Sequence, residues 1–131
     1  LGLEGVYAPD AVAYHTGSAT LGAWHPEVVR RIARNQLLLV AKHLPKGWVR
    51  RYGWRVLVAQ GLWGLVALRH GAFFAFLRGK LAGLAQFRAV RNGSGEPGDI
   101  DGVLAESERT LRELQEQTGF DWYWRLYFAL T

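Results

Sequence analysis

The chain contains no cysteine and no methionine among its 131 residues. The lack of cysteine excludes a disulfide framework and a thiolate metal site, and it agrees with a reducing compartment such as the cytosol. Because a native start would supply methionine, we expect the sequence to be a piece of a longer protein. Hydrophobic residues make up 50% of the chain, which is enough for a modest core.

Acidic residues are absent from residue 28 to residue 91, a stretch that contains thirteen lysines and arginines. From Glu96 to Asp121 the sign reverses, with eight acids and only two arginines. The basic stretch favours anionic partners. Nucleic acid is not the expected partner, because these cations are interspersed with long Leu, Val, Trp and Phe runs and no nucleic-acid motif is present.

An apolar run long enough to span a bilayer is missing from the basic stretch. Residues 56–68 are thirteen uncharged residues, whereas about twenty are needed to span a bilayer. Arg55 and Arg69 flank this segment, and tryptophans and phenylalanines accompany it. Basic amphipathic helices with such aromatics are typical of proteins that lie in-plane on an anionic membrane surface. The alternative is that the apolar faces pack on another domain or on a second copy of the chain, in a homo-oligomer.

The pattern of breakers and apolar residues predicts strands first and helices afterwards. Two short β-prone segments, residues 5–8 and 11–14, flank a Pro9-Asp10 turn pair. Helices are predicted from Pro26 to near Pro45, over residues 48–68 and 72–90, and over residues 101–117. The predicted fold class is therefore α/β but mostly α, with the end of a sheet followed by four to five helices.

Four segments follow from this organisation: strands and a histidine loop at 1–22, basic amphipathic helices at 23–91, a Gly/Ser-containing linker at 92–100, and an acidic helix with an aromatic tail at 101–131. The tail is expected to be a packing anchor that folds back on the preceding helices or docks a partner. Its aromatic side chains are also compatible with an acceptor groove.

His15 is the first candidate for chemistry. It stands where the second predicted strand ends and is followed by Thr16, Gly17, Ser18, Ala19 and Thr20. An imidazole in this position can ligate a divalent cation, and the hydroxyl and backbone N–H groups of such a loop can bind phosphate oxygens. The ordinary alternative is a partly buried histidine that is hydrogen-bonded to a carbonyl.

Three motifs together resemble the last catalytic-domain segment of bacterial family-two glycosyltransferases, the rhamnosyltransferase-like enzymes that build cell-surface polysaccharides. They are Pro9-Asp10-Ala11, the run from His15 to Thr20, and Arg34-Asn35 at the start of the following helix. The resemblance covers about the first 45 residues and continues loosely to residue 90, where residues 78–84 read Arg-Gly-Lys-Leu-Ala-Gly-Leu.

The resemblance implies a GT-A type catalytic domain whose sheet ends within residues 1–22. It implies metal-dependent, inverting transfer of a sugar from a nucleotide-diphosphate donor to a glycan or lipid-linked acceptor. The family's Asp-x-Asp metal motif and catalytic base are expected upstream, so the chain alone is expected to be an inactive fragment. The implied location is cytoplasmic and peripheral, on the inner face of the cell membrane.

The resemblance also implies roles for individual residues. His15 is similar to the family's metal ligand for Mg²⁺ or Mn²⁺, and Thr16, Ser18 and Thr20 are expected to shape the diphosphate loop. Arg34 and Asn35 are expected to bind substrate, although Arg34 is also compatible with a merely solvated basic helix face. Gln36 departs from the family, which often has another arginine there. The alternative function is a non-catalytic helical module that binds a membrane surface or scaffolds a partner.

Overall fold

The structure of the protein is a computed structural model that describes residue 10, residues 21–92 and residues 100–131. The described residues form five α-helices, which are α1 (Pro26–His43), α2 (Trp48–Arg69), α3 (Phe73–Asn92), α4 (Ile100–Thr118) and α5 (Trp122–Leu130). The prediction of a mostly helical chain is confirmed. The predicted strands at 5–8 and 11–14 lie outside the described residues, as does most of the predicted linker. Asp10 lies in a turn.

Helix α1 begins and ends where its sequence signals predict. Pro26 occupies the first turn, where a missing N–H costs nothing, and the imidazole Nδ1 of His25 accepts a hydrogen bond from the backbone N–H of Glu27 at 3.2 Å. At the other end, Arg91 from the last turn of α3 donates through Nη1 to the carbonyl oxygens of Ala41, at 3.1 Å, and Leu44. A cation there satisfies carbonyls that the helix itself leaves free.

Helices α1 and α3 approach closely because two glycines of α3 face α1. A Cβ atom added at Gly79 would overlap the carbonyl oxygen of Arg30 and lie 2.7 Å from the Cβ of Ala33. A Cβ added at Gly83 would lie 3.0 Å from the carbonyl oxygen of Arg34. Small residues four positions apart let two helix backbones come together, so this glycine pair fixes where α3 crosses α1.

The most buried part of the molecule lies beside the turn between α2 and α3. Its apolar residues come from α1, α2, α3 and the position just before α3, and they are Val29, Ala33, Ala67, Ala72 and Phe76. Trp24, which precedes α1, packs against this core. Its ring stacks on that of His70, with ring centroids 4.0 Å apart and planes inclined by 4°. The αα-hairpin of α2 and α3 is therefore anchored at its turn.

Helices α4 and α5 lie against α2. Ion pairs join α4 to α2 at Arg51–Asp101, 2.6 Å, and at Arg55–Glu108, 2.9 Å. In α5, the hydroxyl of Tyr123 donates to a backbone carbonyl of α2 at 3.2 Å. The aromatic tail thus folds back on a preceding helix, which was one of the two packing alternatives predicted for it.

Candidate functional site

The loop predicted to hold metal and diphosphate lies outside the described residues, and this includes His15, Thr16, Ser18 and Thr20. No three histidine, aspartate or glutamate side chains within residues 21–92 and 100–131 come together as a metal-binding group. The metal and phosphate roles of the loop therefore stay predictions.

Arg34 and Asn35 are both described, and they lie in the middle of α1. The helix begins at Pro26, so the pair stands about two turns inside it and not at its start. The description of the pair as standing at the helix start was wrong, because the helix begins at Pro26, as its own sequence signals predict.

The side chain of Arg34 is held by its neighbour. Its Nε and Nη2 atoms donate to Oδ1 of Asn35 at 3.1 and 3.0 Å. The two other arginines of this helix segment differ, because Arg30 and Arg31 both pair with the carboxylate of Glu27, at 2.8 and 2.7 Å. Arg34 forms no ion pair with any described residue, so no described carboxylate neutralises its charge.

Glu27 is the only acid of α1, and its two arginine partners lower its pKa to about 2. This local neutralisation separates Arg34 from Arg30 and Arg31, whereas the sequence alone left a single solvated face of all three as an alternative. The amide of Asn35 orients the Arg34 guanidinium without neutralising it, since a neutral carbonyl oxygen accepts both hydrogen bonds.

The segment at residues 78–84 has a packing role in the structure. Its two glycines, Gly79 and Gly83, form the contact with α1 described above, and Gly83 lies against the backbone of Arg34. The segment of α1 that carries Arg34 and Asn35 is thereby fixed on a rigid two-helix unit.

Lys80, between these glycines, was not singled out from the sequence. Its Nζ atom donates to the carbonyl oxygen of Ala33 at 3.1 Å and to Oε1 of Gln36 at 2.8 Å, and it also contacts Oε1 of Gln60. The ammonium lies 5.2 Å from the centre of the Phe76 ring. Partial burial lowers the pKa of Lys80 to about 8. Lys80 therefore links α1, α2 and α3 at one point. The signal available in the sequence was its position one residue after Gly79 and three before Gly83.

The surface of α2 and α3 that faces away from α1 is apolar and exposed. Its exposed side chains recur at intervals of three and four residues, except for a gap at Gly61, and they are Trp54, Leu57, Leu65 and Leu68 on α2 and Phe74, Leu77, Leu81 and Leu84 on α3. We call these eight residues the α2–α3 face. Exposure reaches 77% at Phe74 and 66% at Leu81. Such large apolar patches mark interaction surfaces.

A groove of about 740 Å³ runs between the two rows of the α2–α3 face. Only two polar residues, Gln60 and Lys80, line it. Gly61 and Gly64 leave it open on the α2 side, since they place no side chain in it. The apolar surface of the α2–α3 face therefore extends into the groove between its two rows.

A second cleft, of about 400 Å³, lies where α4 and α5 meet α1 and α2. Four aromatic side chains of α5 line it, and they are Tyr123, Trp124, Tyr127 and Phe128. The Arg55–Glu108 ion pair lies at the same cleft. The hydroxyl of Tyr52, which also lines it, is buried with no hydrogen-bond partner among the described residues.

Within the described part of the chain, none of the helices combines the length and hydropathy that a bilayer-crossing segment requires. Comparison of the sequence and the structure with protein-family models, curated proteins and solved structures finds no match.

Proposed function

We propose that the chain is the C-terminal part of a metal-dependent, inverting family-two glycosyltransferase of GT-A type. The reaction would move a sugar from a nucleotide-diphosphate donor to a hydroxyl of a glycan or lipid-linked acceptor. The observation that carries the proposal is the order of the His15–Thr20 loop and the Arg34-Asn35 pair along the sequence. The pairing of Arg34 with Asn35, and with no described carboxylate, supports it.

In this proposal His15 contributes one ligand to Mg²⁺ or Mn²⁺, and the metal, when bound, neutralises charge on the diphosphate leaving group. Thr16, Ser18 and Thr20 offer hydroxyl and backbone donors to phosphate oxygens. Arg34 binds the diphosphate through a charge-assisted contact, for which its planar guanidinium is suited. Asn35 positions Arg34.

The proposal is tested in the complete protein that carries this chain, by release of nucleoside diphosphate from a panel of nucleotide sugars with Mn²⁺ or Mg²⁺. Arg34→Ala should lower kcat/KM by about 100-fold, in the range of a lost charge-assisted contact to the reacting group, with little change in thermal unfolding. Arg31→Ala is the matched control, because Arg31 is an exposed arginine of the same helix that pairs with Glu27. Equal losses of activity and stability for Arg34→Ala would contradict the catalytic role.

His15 is tested in the same assay. His15→Ala should raise the Mn²⁺ concentration needed for half-maximal rate, whereas His43→Ala, at an exposed histidine of the last turn of α1, should not. Equal Mn²⁺ dependence in the two variants would remove the metal-ligand role of His15.

The proposed location is cytoplasmic and peripheral, on the inner face of the cell membrane. The acid-free α2 and α3 and the exposed apolar α2–α3 face support it. A lipid-linked acceptor would be presented at that surface.

A second function, a non-catalytic module that binds a membrane surface or scaffolds a partner, is favoured by the same exposed face. The sequence upstream of residue 1 separates the two. A β-rich nucleotide-binding half with an Asp-x-Asp motif, together with turnover of a nucleotide sugar, supports the transferase. Lack of both supports the module.

A further inference from the structure

We infer that the α2–α3 face is the surface by which the protein lies in-plane on an anionic lipid bilayer. The inference rests on the membrane location proposed above and names the residues that would make the contact. A membrane-binding face requires an exposed apolar surface with cations at its border and no acid within it. The observations must also favour a bilayer over a second copy of the chain as the partner.

The apolar surface is continuous across two helices. Phe74, Leu77, Leu81 and Leu84 follow one another at intervals of three and four residues, so they form a single row along α3. The row on α2 ends at Trp54, whose indole Nε1 donates to the carbonyl oxygen of Leu130 at 2.7 Å. Trp122, Leu126 and Leu130 of α5 are themselves 42–50% exposed and extend the surface past Trp54.

Arginines lie at the border of this surface. Arg50 precedes Trp54 by four residues and Arg88 follows Leu84 by four, so each continues the apolar row of its own helix. Because α2 and α3 form an αα-hairpin, the start of α2 and the end of α3 lie at the same end of the face. Both arginines are exposed and form no ion pair with a described residue.

No acid lies on the α2–α3 face itself. Helices α2 and α3 contain none. Asp121, which precedes Trp122 at the α5 extension, caps α5 by accepting a hydrogen bond from the backbone N–H of Trp124. Asp101 and Glu108 of α4 engage Arg51 and Arg55, which lie about a quarter turn around α2 from the apolar row. Glu27 pairs within α1, on the far side of α3 from the face. A negatively charged membrane surface therefore meets cations at the border of the face and no carboxylate within it.

Charge also favours a bilayer over a second copy of the chain. In a symmetric dimer formed through this face, each copy would present the same arginines and no acid, so no carboxylate of the face would complement the arginines of the other copy. Anionic headgroups instead complement Arg50 and Arg88 while the leucines and Phe74 enter the acyl boundary.

The test measures sedimentation of the 131-residue chain with vesicles of phosphatidylcholine alone and of phosphatidylcholine with 30% phosphatidylglycerol, at about 50 and 500 mM salt. The unaltered chain should bind the anionic vesicles at low salt at least tenfold more tightly than the neutral ones, and high salt should weaken that binding. Circular dichroism checks that each variant keeps its helices.

Two pairs of variants locate the contact. Leu81→Asp should lower the partition coefficient at least about tenfold, whereas Leu114→Asp, at a leucine of α4 that is 48% exposed, should change it less than about twofold. Arg88→Glu should lower it about 25-fold on anionic vesicles, because the substitution changes two units of charge and each unit near such a surface is worth about a factor of five. Lys42→Glu makes the same charge change at an exposed position of α1 and should have a much smaller effect.

Equal losses for Leu81→Asp and Leu114→Asp would overturn the assignment of this face and leave the proposed membrane location standing. No binding of the unaltered chain to either vesicle would overturn both, while the nucleotide-sugar assay would still decide the transferase. The face would instead be assigned to a second copy of the chain if three results were found together. The unaltered chain would be dimeric in solution, Leu81→Asp would make it monomeric, and it would not bind vesicles.

Discussion

Replacing Gly79 with alanine should separate α1 from α3. In the structure a Cβ at this position would overlap the carbonyl oxygen of Arg30 and lie 2.7 Å from the Cβ of Ala33. Carbon atoms in ordinary contact are about 3.5–4.0 Å apart, so the two helices must move apart locally by about 1 Å. The nearest atom belongs to the backbone, which cannot rotate away as a flexible side chain would.

Two effects of opposite sign set the magnitude. Alanine is better than glycine in a helix interior by about 1 kcal/mol, and this gain applies at any helical position. Overpacking a close contact costs about 1–3 kcal/mol, and the upper part of this range, about 2–3 kcal/mol, applies here because the overlapped atom belongs to the backbone. Gly79→Ala should therefore destabilise by about 1–2 kcal/mol. Gly61→Ala should stabilise by about 0.5–1 kcal/mol, because nothing lies within 4 Å of a Cβ at Gly61. Gly83→Ala, where the nearest atom is at 3.0 Å, should fall between them.

Urea unfolding followed by far-UV circular dichroism measures these differences, and thermal midpoints should shift by about 3–6 °C per kcal/mol for a chain of this size. Gly61→Ala controls for helix propensity, so the gap of about 2–3 kcal/mol between it and Gly79→Ala isolates the contact with α1. If both variants stabilise the protein equally, α1 and α3 do not meet at Gly79 and the described packing is wrong.

Three further predictions concern charged side chains. Burial lowers the pKa of Lys80 to about 8 from its usual 10.5, so the unfolded chain holds this proton more tightly than the folded protein does. The free energy of unfolding of the unaltered protein should therefore rise between pH 8 and 10.5 relative to that of the Lys80→Met variant. If the free energy of unfolding of the unaltered protein instead fell relative to that of Lys80→Met over this range, the oxygens around Lys80 would favour its charged form. Arg91→Met removes the donor to the last carbonyls of α1 and should destabilise by about 1–2 kcal/mol in the same urea assay, and an unchanged midpoint would argue against this cap. The carboxyl of Glu27 should titrate near pH 2 in ¹³C NMR because Arg30 and Arg31 favour its charged form, so these pairs are complete above pH 4.5 and are lost as the pH falls towards 2. Arg31→Ala should raise that pKa, and an unchanged value would contradict the pairing.

The positions of the helices could be predicted from local signals. Pro26 and Glu27 mark the start of α1, and the breakers Gly47 and Gly71, both with positive φ, separate α1, α2 and α3. These signals act through the residue's own backbone preferences, so they need no knowledge of the rest of the chain. The observed ends of α1 to α4 agree with the predictions to within about two residues, whereas no bounds were predicted for α5.

The candidate site was predictable only in part. The sequence singled out Arg34 and Asn35, but it left open whether Arg34 belongs with Arg30 and Arg31 to one solvated basic face. Only the side-chain geometry distinguishes them, because Glu27 is near enough to pair with two of the three.

The sequence by itself determined the helical class, the acid-free basic stretch and the apolar rows of α2 and α3, since each is written in residue type and spacing. The tertiary structure decided which helices meet, and so which apolar residues are covered. Gly79 and Gly83 lie on one side of α3 in any helix, but their spacing does not say that α1 packs there. Likewise burial lowers the pKa of Lys80, and the helix that supplies Ala33 and Gln36 to it lies more than forty positions away. The contact of the aromatic tail with α2 spans 64 positions. Those contacts depend on the summed packing of all the helices, which no local pattern encodes.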